Sequence, residues 1–269
     1  MGAGHYVSGT ERVRVHLDGV ALHVVFDNPA RHNALGVDTW RALPPLLAQA
    51  AADDRVRLVV FQGAGSRAFA SGADISQFED QRASREAVAR YEALSDDALA
   101  AIQRLPKPTL ACVRGWCLGA GLNVAMACDV RIAASDAVFG IPAARMGLGY
   151  RDAALKNLID LVGVGPAKDL FFTARRIDAA EALRLGLVTR VAATDALSAL
   201  LAEYVDAIGD NAPLTIAAAK ATAGALLASR PADDLAECRE LIRSCFDSED
   251  YAEGRRAFME KRRPSFRGR

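Results

Sequence analysis

Thr109-Leu110-Ala111-Cys112-Val113 followed by Gly115-Trp116-Cys117-Leu118-Gly119-Ala120-Gly121 reads as a strand, a glycine turn and the start of an apolar helix that runs to Cys128. An earlier stretch, Ala68-Phe69-Ala70-Ser71-Gly72-Ala73-Asp74-Ile75, has the same form: a strand precedes it and a helix is expected to open from it. Backbone N–H groups in the first turn of a helix have no intrahelical partner and point outward. The helix dipole adds positive potential there. Two such groups converging on one oxygen make an oxyanion hole. Glycine flanks suit this, because a side chain would block the approach of a ligand. Taken singly, each stretch also reads as an ordinary tight strand–helix turn. Neither has the spacing of a phosphate-cradling loop or a dinucleotide fingerprint.

Working outward, the unit of strand, glycine turn and helix recurs, as expected of a layered α/β fold. Arg12 to Leu17 alternates with period two, Asp18-Gly19 follows, and Val20 to Phe26 is apolar, which predicts a β-hairpin. A helix is predicted over 37–52, carrying Trp40, Leu43, Leu46 and Leu47, with Pro44-Pro45 expected to kink it or delay its regular start. Val56 to Phe61 reads as a buried strand, 75–105 as a polar helix, and Val130 to Ala133 as a further strand. From 151 onward the chain reads as helices over 178–185, 193–208, 213–229, 232–246 and 251–261, with only Leu187 to Val191 strand-like. This tail is expected to pack on the core or on a neighbouring subunit.

The 269 residues form a chain long enough to bury roughly 70–75% of its unfolded surface, so neither disulfide nor metal is needed for folding. With 51% hydrophobic and 25% charged residues, the composition is that of a soluble globular enzyme. The 33 basic and 33 acidic residues balance, which argues against a dedicated nucleic-acid binder. No apolar run is long enough to cross a bilayer, and Met1 to Tyr6 lacks the pattern of a signal peptide. The five cysteines have no metal-site spacing, and Cys112, Cys117 and Cys128 read as small buried hydrophobes in a reducing compartment. A cytoplasmic protein with no bound metal is therefore expected.

The ordered set Asn28-Pro29-Ala30-Arg31-His32-Asn33-Ala34, Phe69-Ala70-Ser71-Gly72-Ala73-Asp74, Gly115 to Gly121, Cys128 to Ala133, Phe139-Gly140-Ile141-Pro142 and Glu253 to Pro264 resembles the enoyl-CoA hydratase/isomerase (crotonase) family, from about residue 12 to 267. The resemblance implies an α/β fold. A crotonase-like spiral of ββα units over 1–205 would carry the acyl-CoA site, and a C-terminal helical trimerisation region would follow over 206–269. It also implies a homotrimer, or a hexamer built as a dimer of trimers. The partner would be an acyl-CoA thioester, with Coenzyme A part of the substrate and no other cofactor. By the same resemblance, the backbone N–H groups of Ala73 and Ala120 hold the thioester carbonyl. Many relatives have Gly where Ala120 stands, and Ala serves provided its φ is negative. The Coenzyme A moiety maps to Arg31, His32, Ser71, Gly72 and Ile75, with Lys261 reaching it from the C-terminal tail. Arg31 suits a phosphate, although a solvated loop charge reads the same way. Lys261 equally suits a helix-end charge that stabilises the dipole.

The departures bear on the reaction. Family hydratases carry one glutamate in the helix after the second turn and another just after the Phe-Gly-x-Pro stretch; here those positions hold Asn123 and Ala143. Neither can act as an acid or base, yet syn-addition of water needs one group to activate the water and one to protonate carbon. Replacements are sought in Gly149-Tyr150-Arg151-Asp152. Asp152 is a candidate acid–base group, or else a first-turn acid of the helix that begins near Ala153. Tyr150 is a candidate hydrogen-bond donor, and Asn123 could orient a water or a carboxyl group. A nucleophilic Cys117 lacks a nearby histidine in sequence. The expected function is therefore an acyl-CoA-processing enzyme, nominally an enoyl-CoA hydratase/isomerase. It would decarboxylate a malonyl-type thioester or shift a double bond through Asp152. A catalytically silent paralogue that binds CoA thioesters is the alternative.

Overall fold

A computed structural model describes residues 6–74, 84–227 and 234–269. The hairpin forms as predicted: β1 (Val13–Asp18) and β2 (Ala21–Phe26) pair antiparallel from Val13↔Phe26 to Asp18↔Ala21. β1 lies at the sheet edge and alternates in burial, whereas β2 is buried along its whole length. The reason is β3 (Leu58–Gly63), which pairs parallel on the other side of β2. A strand with neighbours on both sides and layers on both faces reads as a continuous apolar run.

Among the described residues the remaining strands are β4 (Ala68–Ala70), β5 (Thr109–Val113), β6 (Trp116–Leu118), β7 (Val130–Ala134), β8 (Val138–Gly140), β9 (Arg176–Asp178) and β10 (Arg190–Ala192). They fall into a six-stranded sheet, β1-β2-β3-β5-β7-β10, and a four-stranded sheet, β4-β6-β8-β9. Consecutive strands alternate between the sheets: β3 then β4, β5 then β6, β7 then β8. Each winding of the chain thus lays one strand in each sheet before its helix, which is the expected spiral of ββα units. The helices are α1 (Val37–Ala52), α2 (Arg85–Arg104), α3 (Ala120–Ala127), α4 (Asp152–Val162), α5 (Val164–Thr173), α6 (Ala179–Arg184), α7 (Leu197–Asp210), α8 (Pro213–Leu227), α9 (Asp234–Asp247) and α10 (Glu249–Glu260).

Alternation along the strands divides the core. Val59 and Phe61 of β3 join the main cluster with Trp40, Leu43, Leu46 and Leu47 of α1. Leu58 and Val60 point to the other face and pack with Leu197, Leu200 and Leu201 of α7. Burial raises the Cys112 thiol to about 11 and the Cys128 thiol to about 12, and holds Cys117 well above its ordinary value. Cys117 is thus a small core hydrophobe and not a nucleophile.

α1 runs through Pro44 and Pro45 with no delayed start. An interior proline costs about 3 kcal/mol, and burial of Leu43, Leu46 and Leu47, each worth about 1.5–3 kcal/mol, offsets it. β9 was absent from the sequence reading because in a three-residue strand only Ile177 is buried. The strand expected over 187–191 is β10, at Arg190–Ala192; Leu187 and Val188 are buried in the turn before it. Residues 205 and 206, where the sequence division is drawn, lie in α7, which packs on the large sheet and is followed by α8. Ile75 and the first part of the helix expected over 75–105 lie outside the described residues.

Candidate active site

The two glycine turns meet because the strands that feed them are neighbours. β4 and β6 run parallel, with Ala68 opposite Trp116 and Ala70 beside Cys117, so both turns leave the same end of the small sheet. Gly121 sits against β4: a Cβ there would lie 2.3 Å from Ala70 O and 2.7 Å from Ala70 Cβ. Gly119, the residue before α3, has φ 49°, a left-handed conformation that favours glycine. A Cβ on it would stand 3.9 Å from Gly72 Cα, which measures how closely the turns approach.

Each turn presents an amide. Leu35 donates to Gly72 O at 2.8 Å and accepts from Asp74 N at 2.9 Å, forming a parallel bridge to Ala73. In that arrangement the N–H of Ala73 points away from Leu35. Ala120 is the first residue of α3, and the helix's first N–H to bond back is that of Asn123, to Gly119 O at 3.0 Å. The Ala120 amide therefore has no intrahelical acceptor. Its φ is not positive, so alanine serves here as well as glycine. Ala73 and Ala120 both line one cavity of about 200 Å³.

Asn123, Ala143 and Tyr150 line that cavity too. The Tyr150 hydroxyl donates to Asn123 Oδ1. Burial pushes Tyr150 well above its ordinary 10.0, so it stays protonated and acts as a donor. Ala143 is buried in the short 3-10 helix Pro142–Met146. A further wall is α2, through Tyr91, Glu92, Ser95 and Leu99. Arg151 fastens this wall: Nη1 donates to Glu92 O at 2.8 Å, Nη2 donates to Ser95 Oγ at 3.0 Å, and the guanidinium pairs with Asp96.

Asp152 is not among the residues lining the cavity. It is the exposed first residue of α4, and its Oδ1 accepts from Ala153 N at 2.9 Å. This placement agrees with a first-turn acid of α4 and sets Asp152 apart from the cavity-lining residues. Ser71 and Gly72 line the cavity; Arg31, His32 and Lys261 do not. Arg31 pairs with Asp74 at 3.1 Å with its side chain 53% exposed. His32 packs its ring edge-on to Trp116, with centroids 5.0 Å apart. Ser71 ties this first loop to the turn, donating from N to His32 O at 3.0 Å and from Oγ to Arg31 O at 3.1 Å. Lys261 is exposed and ends α10 in the left-handed conformation.

Two residues had no role in the sequence reading. Asn33 is buried with φ 57°, its Nδ2 donating to Ala64 O at 3.0 Å and Ala68 O at 2.7 Å, its Oδ1 accepting from Asn28 N at 3.0 Å. It locks the first loop to the end of β3 and the start of β4. Its signal was its place in the Asn-Pro-Ala-Arg-His-Asn stretch, since Asn tolerates the left-handed region. Glu92 had no signal beyond lying in a polar helix.

The family profile described as enoyl-CoA hydratase/isomerase matches residues 18–269. The short-chain-enoyl-CoA hydratase of Clostridium acetobutylicum is 34% identical over 246 residues, covering 91% of this chain and 94% of that protein. The crotonyl-CoA hydratase of Syntrophomonas wolfei is 34% identical with the same coverage. Among solved structures, an enoyl-CoA hydratase/carnithine racemase from Magnetospirillum magneticum superposes with a TM-score of 0.91 at 32% identity, covering 97% of each chain. Among the described residues no helix is long and apolar enough to cross a membrane.

Proposed function

The chain belongs to the enoyl-CoA hydratase/isomerase family, and on that premise we propose that it holds the carbonyl of an acyl-CoA thioester between the amides of Ala73 and Ala120 and stabilises the enolate formed there. The observation that carries this reading is the pair of turn amides on one cavity. Negative charge gathers on the thioester oxygen as the enolate forms, and one preorganised donor is worth about 10²–10³ in rate. The Coenzyme A moiety runs along Ser71 and Gly72, with Arg31, His32 and Lys261 as its outer partners, and is part of the substrate.

Hydration is not the reaction proposed. Asn123 cannot accept or give a proton, Tyr150 is held protonated, and Ala143 is inert. Two reactions need no activated water: decarboxylation of a malonyl-type thioester, in which loss of CO₂ leaves the enolate directly, and migration of a double bond. The neutral Asn123–Tyr150 pair also suits a protein that binds CoA thioesters without turning them over.

Assays of the purified protein on crotonyl-CoA, a malonyl-type CoA and a 3-enoyl-CoA separate these readings. Turnover of either of the last two with slow hydration of the first supports the enolate reading. Tight binding with no turnover of any of the three supports the silent binder. No binding of acyl-CoA by calorimetry overturns both.

A further inference from the structure

Tyr91, Glu92, Ser95 and Leu99 share the face of α2 that walls the cavity, as expected of residues three to four positions apart on a helix. Glu92 is half-buried there. It supplies the only carboxylate among the described residues that line the cavity, the same cavity that Ala73 and Ala120 line.

Its carboxylate makes no hydrogen bond or ion pair among the described residues, because the polar groups around it are engaged elsewhere. Arg151 is committed to the main-chain oxygen of Glu92, to Ser95 Oγ and to the Asp96 carboxylate. Ser95 Oγ donates to the main-chain oxygen of Glu92 at 3.0 Å. Trp40 Nε1 donates to the Tyr91 hydroxyl at 3.0 Å, and the Tyr150 hydroxyl donates to Asn123. A half-buried carboxylate in a ligand cavity, with its donors directed away from it, is placed to take a proton from whatever enters.

We propose that Glu92 is the proton carrier of this site and that the reaction is migration of a double bond in a 3-enoyl thioester. The proposal rests on the reading that the carbonyl lies between the two amides. The Glu92 carboxylate removes a proton from the α-carbon. The C–H electron pair enters a dienolate, whose oxygen charge is held by the Ala73 and Ala120 amides. The protonated Glu92 returns the proton to the γ-carbon, the electron pair settles between the α- and β-carbons, and the carboxylate is regenerated. The product is the 2-enoyl isomer, with no water added and no oxidant needed. One carboxylate suffices, because a single group can carry the proton between two carbons on one face of the acyl chain.

The test uses the full-length protein with a short 3-enoyl-CoA in D₂O, reading isomerisation and α-deuterium incorporation together, with acyl-CoA affinity by calorimetry. Wild type is expected to isomerise, and to incorporate deuterium to the extent that protonated Glu92 exchanges with solvent before it returns the proton. Glu92→Gln is expected to lose both by about 10²–10⁴, with its affinity within about threefold of wild type and an unchanged circular dichroism spectrum. Glu92→Asp, which keeps a carboxylate, is expected to recover part of the exchange. Wild-type rates in Glu92→Gln, with exchange intact, overturn the role of Glu92 and leave the enolate reading standing. A wild type that binds the substrate yet neither isomerises it nor exchanges its α-proton overturns the role of Glu92, and one that binds no acyl-CoA overturns the enolate reading as well.

Discussion

Around the cavity, Trp40, Leu99, Ile141 and Ala143 are buried beneath side chains of the same chain, whereas in the C-terminal helices Phe246, Phe258 and Met259 are 61%, 82% and 80% exposed. Near the site, polar contacts fix loops onto an apolar core formed, among the described residues, by side chains of one chain. In the tail the balance is reversed. The buried Asp250 carboxylate accepts from Arg267 N at 2.6 Å and Gly268 N at 2.8 Å, and Arg57 Nη2 donates to Phe266 O at 2.6 Å. Lys220 of α8 reaches Asp129 at 2.7 Å. These polar ties hold the tail in shape, while Leu226, Ile242, Phe246, Phe258 and Met259 line an open groove of about 1150 Å³. Apolar surface of this extent marks an interaction face. We propose that the apolar face of the tail is covered by another copy of the chain, in a homotrimer or a dimer of trimers.

The comparison is broken most completely by attacking the tail. Light scattering at micromolar concentration should give at least three times the chain mass, and Phe258→Glu with Met259→Glu should reduce it to one. A monomeric wild type contradicts the proposed assembly. The next effect belongs to the site half. Asn33→Leu strands two buried carbonyls and one amide, each costing about 1–3 kcal/mol when left unpaired. Denaturant titration should show a loss of at least about 3 kcal/mol, and a loss under about 1 kcal/mol would mean that the first loop is held by something else.

Restoring carboxylates sharpens the comparison from the chemical side. Asn123→Glu with Ala143→Glu should raise the kcat/KM of crotonyl-CoA hydration by about 10² or more, and each single change should gain little, since the two groups act on one water. Vigorous hydration by wild type would point to an acid–base pair that the cavity does not display.

The smallest effect lies at the edge of the core. Tyr6 donates to Asp53 Oδ2 at 2.5 Å, and Arg55 Nη2 donates to it at 2.6 Å. The Arg55 hydrogen bonds, chiefly, hold Asp53 well below the usual carboxylate range. Its contribution to stability is therefore present above the unfolded value of 3.8 and is lost as pH falls through the lower folded value. Burial, with help from Asp53, raises Tyr6 from 10.0 to about 12, so its contribution is present below 10 and is lost as pH rises through 12. Asp53→Asn should flatten the acid limb of a plot of stability against pH and shallow the alkaline limb only in part, since burial of Tyr6 remains. Solvent screening keeps the change small, and identical limbs in the two proteins would remove the pair from the account.

The elements that could be read from sequence are those whose pattern is local. Asp18-Gly19 marked the hairpin, the apolar runs of β3 and β5 marked strands, and Gly119 and Gly121 marked the turn that opens α3. What escaped depends on distant partners. β9 is a strand only because β8 lies beside it. Asn33 bonds to carbonyls 31 and 35 residues further on. Asp152 lay close in sequence to the site, but α4 begins at that residue and leaves it exposed. Glu92 sits in a polar helix, and which face of α2 meets the cavity is decided by α1, α3 and the chain around Arg151.

The central claim, that two turn amides polarise a thioester carbonyl, is tested most directly by the vibrational frequency of that carbonyl. Isotope-edited infrared difference spectra of a 13C-carbonyl acyl-CoA bound to the protein should place the stretch below its frequency in water. Ala120→Pro, which removes one donor, should return most of the shift and slow turnover by about 10²–10³, with the fold checked by circular dichroism. A bound thioester whose carbonyl absorbs at its free frequency in the wild-type protein would contradict the account.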